Sequence, residues 1–283
     1  MLRYLVLLRR AAWKAFEHDL LTLAKGAAYS AILTLFPAFL VLASLLGATR
    51  ETSAFIKQFG AAVDRIFPPG TASAAMTYFQ TPKHHPFHVV WSASTISLFA
   101  ATGVMVTWME GFRRAYGIQN NPWGFWHERM IAFLLVPLSL MPMAFATILV
   151  AFGNLIQTWV MLHLQHDIRP VVHLLWTLTR WIISALTSIG VVVLIYHMAV
   201  PQMQSWRRVL PGALLATLLW FPATIVFGWY LTRYANYSVI YGPLGAAIAL
   251  LVWLYMLSII ILIGAEFNAQ VFPKEALSRG RKA

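Results

Sequence analysis

The chain has 283 residues, of which 60% are hydrophobic and only 11% are charged. Soluble domains carry about 25% charged residues, so this composition favours a protein whose solvent is lipid. Cysteine is absent, which excludes disulfides, thiolate nucleophiles and cysteine-ligated zinc. A net charge of +12 would suit nucleic-acid binding, but membrane proteins also concentrate Lys and Arg in their cytoplasmic loops.

Residues 1–24 predict an amphipathic helix. Basic side chains recur on one face and apolar side chains on or near the other, a pattern typical of a helix in the interface of a membrane with anionic lipids. A helix packed on the protein's own surface explains the same pattern, and the two readings are compatible. We expect Arg9, Arg10 and Lys14 to contact anionic lipids.

Six long apolar segments predict six membrane-spanning helices, because about 20 apolar residues cross the hydrocarbon core of a bilayer. The predicted spans are residues 26–48, 88–109, 130–153, 174–200, 209–231 and 244–265. Pro37 lies near the middle of the first span and predicts a kink, with a freed carbonyl that Thr34 or a neighbouring helix would satisfy. The fold class is therefore all-α, a polytopic membrane protein with residues 1–283 as a single transmembrane domain.

Residues 50–82 separate the first two spans and are too polar to cross a membrane. Apolar side chains recur in them at helical intervals, which predicts an amphipathic helical hairpin on the outer face.

Lys and Arg are distributed asymmetrically about the six spans. With both termini on one side, that side holds 14 of the 21 Lys and Arg residues and the other side holds 7. The positive-inside rule then places both termini in the cytoplasm. Topology thus explains the positive charge without nucleic acid as a partner. Arg113, Arg114, Arg207 and Arg208 fall in cytoplasmic loops and are further expected contacts of anionic lipids.

Two histidine clusters are the candidates for a metal site. They comprise His84, His85 and His88 before the second span, and His163 and His166 after the third. His-x-x-His spacing can place two imidazoles on one helical face, but no third ligand is fixed, so we expect no metal and no cofactor. Hydrolase, P-loop and dinucleotide motifs are absent and the nine acids are dispersed, so we expect no enzyme and disfavour a nuclease.

Glu266 directly follows more than 30 uncharged residues and is the strongest candidate for function. Ionisable residues in membrane spans often mark transport, and Gly264 and Ala265 permit another helix to approach closely. The carboxylate could pair with Arg113, Arg114 or the basic N-terminal helix. A purely anchoring role explains it equally well. For Arg180 and Arg233 we expect outer positions from which the guanidinium reaches the interface.

Three stretches together carry a family pattern. Asp19 is followed by AAYSAILTLFP (27–37), then PQMQSWRRVLPGALLATLLW (201–220) and YGPLGAAIALLVWLYMLSIIILIGAEFNAQ (241–270). The chain resembles the YihY/virulence factor BrkB family of bacterial inner-membrane proteins over nearly its whole length. The resemblance implies a polytopic inner-membrane protein without a settled biochemical activity. Members were once named as a tRNA-processing ribonuclease (ribonuclease BN), and others have been linked to serum resistance or lipopolysaccharide export.

Three functions remain open at this point. A transporter or flippase for a lipid or another amphipathic anion is favoured by proline-kinked spans, a Gly-Pro entry to the sixth span and the basic cytoplasmic collar. Its partners would be membrane lipids and an anionic-lipid or lipopolysaccharide-type substrate. The alternative is a non-transporting, envelope- or virulence-associated scaffold that binds membrane proteins or second copies through small-residue faces. A membrane-bound ribonuclease ranks third.

The transport hypothesis assigns substrate or coupling roles to a set of residues near the ends of the first and sixth spans. These candidates are Glu266, Asn268, Tyr241, Gly242, Gly245, Tyr29, Asp19 and Pro37. A cavity lined by Glu266, Asn268, Tyr29 and the Tyr241–Gly242 turn would favour transport. A solid six-helix core would favour the scaffold.

Overall fold

The computed structural model describes residues 2–47, 86–118, 121–162, 169–201, 204–233 and 244–272, and within these ranges it is entirely helical. The helices in chain order are α1 (Leu2–Glu17), α2 (Leu20–Gly47), α3 (Phe87–Ala115), α4 (Phe125–Leu162), α5 (Arg169–Met198), α6 (Trp206–Arg233) and α7 (Leu244–Val271). The predicted outer hairpin of residues 50–82 lies outside these ranges, as do His84, His85, His163 and His166. His88 is described, and it is exposed in the first turn of α3.

Helices α2 to α7 are each long and apolar enough to cross a membrane, which confirms the six predicted spans. Helices suit this task because every backbone polar group in the bilayer must find a partner within the protein. Helix α4 has 38 residues and continues to Leu162, so at 1.5 Å per residue it is longer than the ~30 Å hydrocarbon core. Prolines lie inside α2, α4 and α6 without ending any of these helices.

The six spans pack in chain order, and the last returns to the first. Each of α2 to α6 contacts the next helix along the chain, and α7 contacts α6, α2, α3 and α1. Because successive spans alternate in direction, α1, the α3–α4 connection and the α5–α6 connection lie together at one end of the bundle. We call this end the α1 end and the opposite one the far end.

Small residues form much of the helix interfaces, and many of the large apolar side chains face outward. Ala24, Ala213 and Ala265 are fully buried, while Trp91 and Leu218 are more than two-thirds exposed. Lipid tails are as apolar as Leu, so burying a large side chain between spans brings little gain, and close backbone approach stabilises the bundle instead.

Helix α1 packs against α7 and α2 through its small residues. Ala11 and Ala15 are buried, whereas Trp13 and Phe16 are 68% and 65% exposed, so α1 covers the protein and still presents an amphipathic outer surface. The turn after α1 contains Asp19, whose φ of 57° lies in the left-handed region that Asp tolerates better than most residues.

The carbonyl freed by Pro37 is not satisfied in the predicted way. A proline removes the bond to the carbonyl four residues earlier, which here belongs to Leu33. The Thr34 hydroxyl instead donates to the Ser30 carbonyl at 2.8 Å, and Ser97 of α3 donates to the Thr34 carbonyl at 3.0 Å. These bonds tie α2 to α3 next to the proline.

Candidate functional site

Glu266 is completely buried in α7 at the α1 end of the bundle. Its Oε2 lies 3.1 Å from Nδ1 of His18, and its Oε1 accepts a hydrogen bond from Gln270 at 3.2 Å. Of the partners expected from the sequence, the N-terminal helix is therefore the one that the structure selects, through the residue directly after α1. Arg113 and Arg114 pair elsewhere.

Residues His18 and Asp19 form the turn between α1 and α2, which we call the elbow. Arg114 of α3 donates from Nη1 to the His18 carbonyl at 3.3 Å and lies 3.8 Å from the Asp19 carboxylate. Its Nε donates to Glu110 at 2.9 Å, which fixes the guanidinium. The elbow is thus held by α3 through its backbone and by α7 through Glu266.

Arg113 is buried and links the two ends of the α3–α4 connection. It is only 7% exposed, and its guanidinium donates to Glu110 and Glu128. Asn121 donates to the second oxygen of Glu128 at 2.7 Å. The lipid contact expected of Arg113 does not fit this environment, because two carboxylates already neutralise the buried guanidinium.

Asn268 ties α7 to the first turns of α6. Its Oδ1 accepts the backbone N–H of Gly212 at 2.6 Å, and its Nδ2 donates to the Val209 carbonyl at 3.1 Å. Pro211 lies between these two backbone groups and disturbs the regular helical hydrogen bonds there. Burial raises the pKa of Tyr116, which hydrogen-bonds to Asn268, so its phenol stays neutral. Asn268 is therefore bonded inside the protein and is 1% exposed.

A close crossing of α6 and α7 surrounds this amide. A Cβ built on Gly212 would lie 2.1 Å from the Gly264 carbonyl oxygen, and one built on Gly264 would lie 2.3 Å from Oη of Tyr196. That Tyr196 hydroxyl donates to the Ile261 carbonyl at 2.6 Å. Only glycine permits the two backbones to approach so closely.

The other predicted substrate residues do not join this cluster. Tyr29 is 62% exposed on the outer surface of α2, and Pro37 is partly buried further along the same helix. Gly245 is buried at the far end, at the start of α7, while Tyr241 and Gly242 lie outside the described residues. Glu266, Asn268 and Tyr29 do not line a common cavity of the kind that would favour transport, because the first two are packed into helix contacts and the third faces outward.

Most of the remaining basic candidates are accessible. Arg9, Arg10 and Arg207 are exposed, and Arg208 is partly buried. Lys14 lies 2.5 Å from Glu17, and this hydrogen bond lowers the pKa of the Glu17 carboxyl and raises that of the Lys14 ammonium. Both groups are in water, so their pair contributes little to stability.

A cavity of about 240 Å³ lies deeper in the bundle, bordered by α3, α4, α5, α6 and α7. Its lining is formed mainly by Val, Ile, Leu and Met side chains, among them Val191 and Ile260, and none of the described residues around it is charged. Leu140, at its border on α4, is 57% exposed. The sequence did not indicate this cavity, because its residues are ordinary apolar residues scattered over five spans.

Five side chains around the cavity carry N–H or O–H groups. One is Trp220, which is partly buried, and the other four fall into two pairs. The hydroxyls of Ser139 and Ser188 donate to carbonyls of their own helices, at 3.0 and 2.9 Å. Nε1 of Trp108 and Oγ1 of Thr217 are buried and make no hydrogen bond to any described residue. Buried polar atoms are nearly always bonded, so these two atoms require an explanation.

Arg180 lies well inside α5 rather than at its end. It is eleven residues into α5, about 16 Å from the start of the helix, and it is only 9% exposed. The interfacial position predicted for Arg180 stays a prediction, because burial against neighbouring helices does not fix the depth of a residue in a bilayer. Arg233, in contrast, is exposed as the last residue of α6, as expected.

Within the described ranges, no group of three His, Asp or Glu side chains comes together in a way that could hold a metal ion. Of the two histidine clusters, only His88 belongs to these ranges.

Comparison with known proteins places the chain in a family. The sequence pattern of the family described as virulence factor BrkB matches residues 12–282. The chain belongs to the virulence factor BrkB family. One relative is a UPF0761 membrane protein of Tolumonas auensis, 27% identical over 95% of this chain and 87% of its own length. This confirms the family resemblance and, together with the six spans, a multi-pass membrane protein.

Other relatives of this BrkB family chain match over shorter stretches. The putative ribonuclease-like protein YfkH of Bacillus subtilis is 29% identical over 64% of this chain, and the match spans about two-thirds of that relative (65%). A UPF0761 membrane protein of Psychromonas ingrahamii is 39% identical over 34% of this chain and 31% of its own length. No solved structure matches the chain significantly.

Proposed function

We propose that this BrkB family protein binds lipid-like amphiphiles and moves them across the bacterial inner membrane, with both termini in the cytoplasm. The observation that carries this proposal is the apolar cavity among α3 to α7. Ligand sites in helical membrane proteins lie between spans, and an uncharged lining suits an alkyl chain. The volume of about 240 Å³ has room for part of a chain rather than a whole lipid, so the remainder of the amphiphile stays outside the cavity.

Charge supports an anionic head group at the cytoplasmic surface. Arg9 and Arg10 of α1 and Arg207 of α6 are exposed at the α1 end. Juxtamembrane basic residues attract anionic lipids by about 1 kcal/mol each. The head group would therefore gather at these arginines while the chain enters the cavity.

This function requires no catalysis, and we propose that the protein is not an enzyme. The words "ribonuclease-like" belong to the name of YfkH, and the BrkB family chain offers no motif for RNA cleavage. Purified protein is expected to leave RNA intact with Mg²⁺ or Zn²⁺ present. Cleavage that disappears with a point variant of this chain would contradict this part of the proposal.

Lipid movement can be measured in liposomes that carry a fluorescent anionic phospholipid and the purified protein. Dithionite destroys only the fluorophore in the outer leaflet, so loss of the protected fraction reports transbilayer movement. Leu140→Trp is expected to slow this movement at least fivefold, because the larger ring narrows the cavity at its border. Leu134→Trp is the matched control, since Leu134 has similar exposure (54%) on the same helix but does not border the cavity.

Wild-type protein that moves none of the anionic, zwitterionic or neutral fluorescent lipids would contradict the proposal. Equal slowing by Leu134→Trp and Leu140→Trp would contradict the assignment of the cavity as the path.

A non-transporting scaffold is the second candidate, favoured by a different observation. Glu266 and Asn268 are bonded within the protein and do not border the cavity. Their bonds stabilise the α1 end, and this role does not require transport. A scaffold predicts a membrane protein or a second copy of this chain that copurifies at fixed stoichiometry in mild detergent. It also predicts that the wild-type protein moves none of the fluorescent lipids.

A further inference from the structure

The apolar lining of the cavity cannot by itself select a ligand inside a bilayer. In water, burying each methylene group is worth about 0.8 kcal/mol, but a chain that comes from surrounding lipid tails is already in an apolar medium. Transfer of an alkyl chain from lipid into the cavity is therefore close to neutral. Preference for one amphiphile over another has to come from the polar atoms around the cavity.

Two of the five side chains with N–H or O–H groups around the cavity are already used by the protein. Ser139 and Ser188 satisfy their hydroxyls on their own helices. Trp108 on α3 and Thr217 on α6 keep a buried indole N–H and a buried hydroxyl without a hydrogen bond to any described residue. Thr217 is 5% exposed, so bulk water is not its ordinary partner.

Leaving these two atoms unbonded is costly. An unsatisfied buried polar group destabilises a protein by about 1–3 kcal/mol, and most of that cost is recovered when a ligand supplies the bond. Rotation of Thr217 about χ1 exchanges its methyl and hydroxyl groups, and threonine in helices populates two such rotamers. The hydroxyl can therefore turn toward a bound molecule without a change in the helix.

We propose that Trp108 and Thr217 form a binding site for an uncharged, oxygen-bearing group on a hydrophobic chain, such as an ester. The indole N–H can only donate, and the hydroxyl can donate or accept, so an oxygen acceptor satisfies both groups. This inference rests on the proposed function in taking the cavity as the place where the amphiphile binds. It adds the chemical class of the portion that enters.

The same lining excludes a charged head group from the cavity. None of the described residues that border it carries a charge, and an uncompensated phosphate in so apolar a place would cost far more than two neutral hydrogen bonds return. The bound portion of the substrate is thus neutral and oxygen-bearing, and the anionic group remains outside the cavity.

Photo-crosslinking with two matched probes tests the site. The first probe is an uncharged dialkyl ester with a diazirine on one chain, and the second is the hydrocarbon in which methylene groups replace the ester. Each is incorporated at the same mole fraction into liposomes that contain the full-length protein, irradiated, and mapped by peptide mass spectrometry. We expect the ester to label cavity residues about fivefold to tenfold more than the hydrocarbon, as two ordinary hydrogen bonds allow.

Thr217→Val keeps the shape of the side chain, and Trp108→Phe keeps an aromatic ring of smaller size; both changes remove the polar atom. Each is expected to lower the ester preference about threefold while labelling by the hydrocarbon stays unchanged. Ser188→Ala is the control, because that hydroxyl is already bonded to Ser184, and it is expected to keep the full preference. Thermal unfolding of all three variants shows whether they remain folded.

The outcomes separate this inference from the proposed function. Equal labelling of the cavity by both probes in the wild type would overturn the acceptor site and leave a chain-binding cavity in place. An ester preference that falls as far in Ser188→Ala as in Thr217→Val would also overturn it. Absence of cavity labelling by either probe would overturn both the acceptor site and the chain-binding cavity. Lipid movement is measured independently, with the fluorescent lipids.

Discussion

The α1 end and the cavity differ in how their polar groups are used. At the α1 end, Glu266, Asn268, Arg113 and Arg114 are each bonded to at least two groups of the protein. Few polar atoms lie around the cavity. Two of them, Nε1 of Trp108 and Oγ1 of Thr217, are buried and make no hydrogen bond to the described residues. The region richest in charge is therefore the more completely satisfied one.

This difference shows that polarity in a membrane span is a weak guide to a ligand site unless hydrogen-bond satisfaction is counted. A buried carboxylate or amide that is bonded to neighbouring helices stabilises their packing, as Asn268 does between α7 and α6. An apolar cavity with unbonded polar atoms has capacity left for a ligand. We therefore assign structure to the α1 end and binding to the cavity.

The largest expected effect tests the close packing at the α1 end. Gly212→Leu should prevent recovery of folded protein, because its Cβ alone would lie 2.1 Å from the Gly264 carbonyl and overpacking of this kind costs more than about 3 kcal/mol. Gly190→Leu is the control, since a Cβ there meets nothing within 4 Å, and it should be neutral or stabilising by about 1 kcal/mol. Yield of monodisperse protein and thermal unfolding in detergent check both.

Asn268→Leu should give the next largest effect. It leaves the Gly212 N–H and the Val209 carbonyl buried without their side-chain partner, at a cost of about 3 kcal/mol in the free energy of unfolding. Unfolding in mixed micelles with increasing SDS measures the change. Ser97→Ala removes a single, partly buried bond between helices and should cost about 1 kcal/mol. An Asn268→Leu variant as stable as Ser97→Ala would contradict the role of Asn268 in holding α7 against α6.

Glu266→Gln should have a smaller effect than Gly212→Leu or Asn268→Leu. Glutamine can still bond to Gln270 and His18, so only the charge assistance is lost, about 1 kcal/mol in the free energy of unfolding. Glu17→Gln is the control on the exposed face of α1, and its melting temperature should equal that of the wild type. Loss of folded protein with Glu266→Gln would show that the buried charge matters more than this account allows.

The six spans could be predicted from the sequence because long apolar runs are a strong and local signal. Their ends were less accurate, as at α2, which begins at Leu20 rather than residue 26 because Asp19 turns the chain in a left-handed conformation. Helix ends are hard to place because polar residues weaken the hydropathy signal there. The burial of Arg180 could not be predicted, since it depends on the helices that pack around α5.

The candidate site was predicted only in part. Glu266 and Asn268 were singled out correctly as unusual, but their role depends on residues 56 or more positions away, such as Gly212 and His18. The cavity depends on the packing of five helices, and no spacing of its Val, Ile and Met residues distinguishes it from an ordinary core. Thr217 carried no signal of its own, because most hydroxyls in spans bond to their own helix.

The most direct test compares lipid movement by Leu140→Trp and Glu266→Gln in the same liposomes, with folded protein quantified in each preparation. If the cavity is the path and the α1 end is structural, Leu140→Trp slows transbilayer movement at least fivefold while Glu266→Gln stays within twofold of the wild type. The reverse result, with Glu266→Gln inactive and Leu140→Trp unaffected, would contradict the assignment of binding to the cavity.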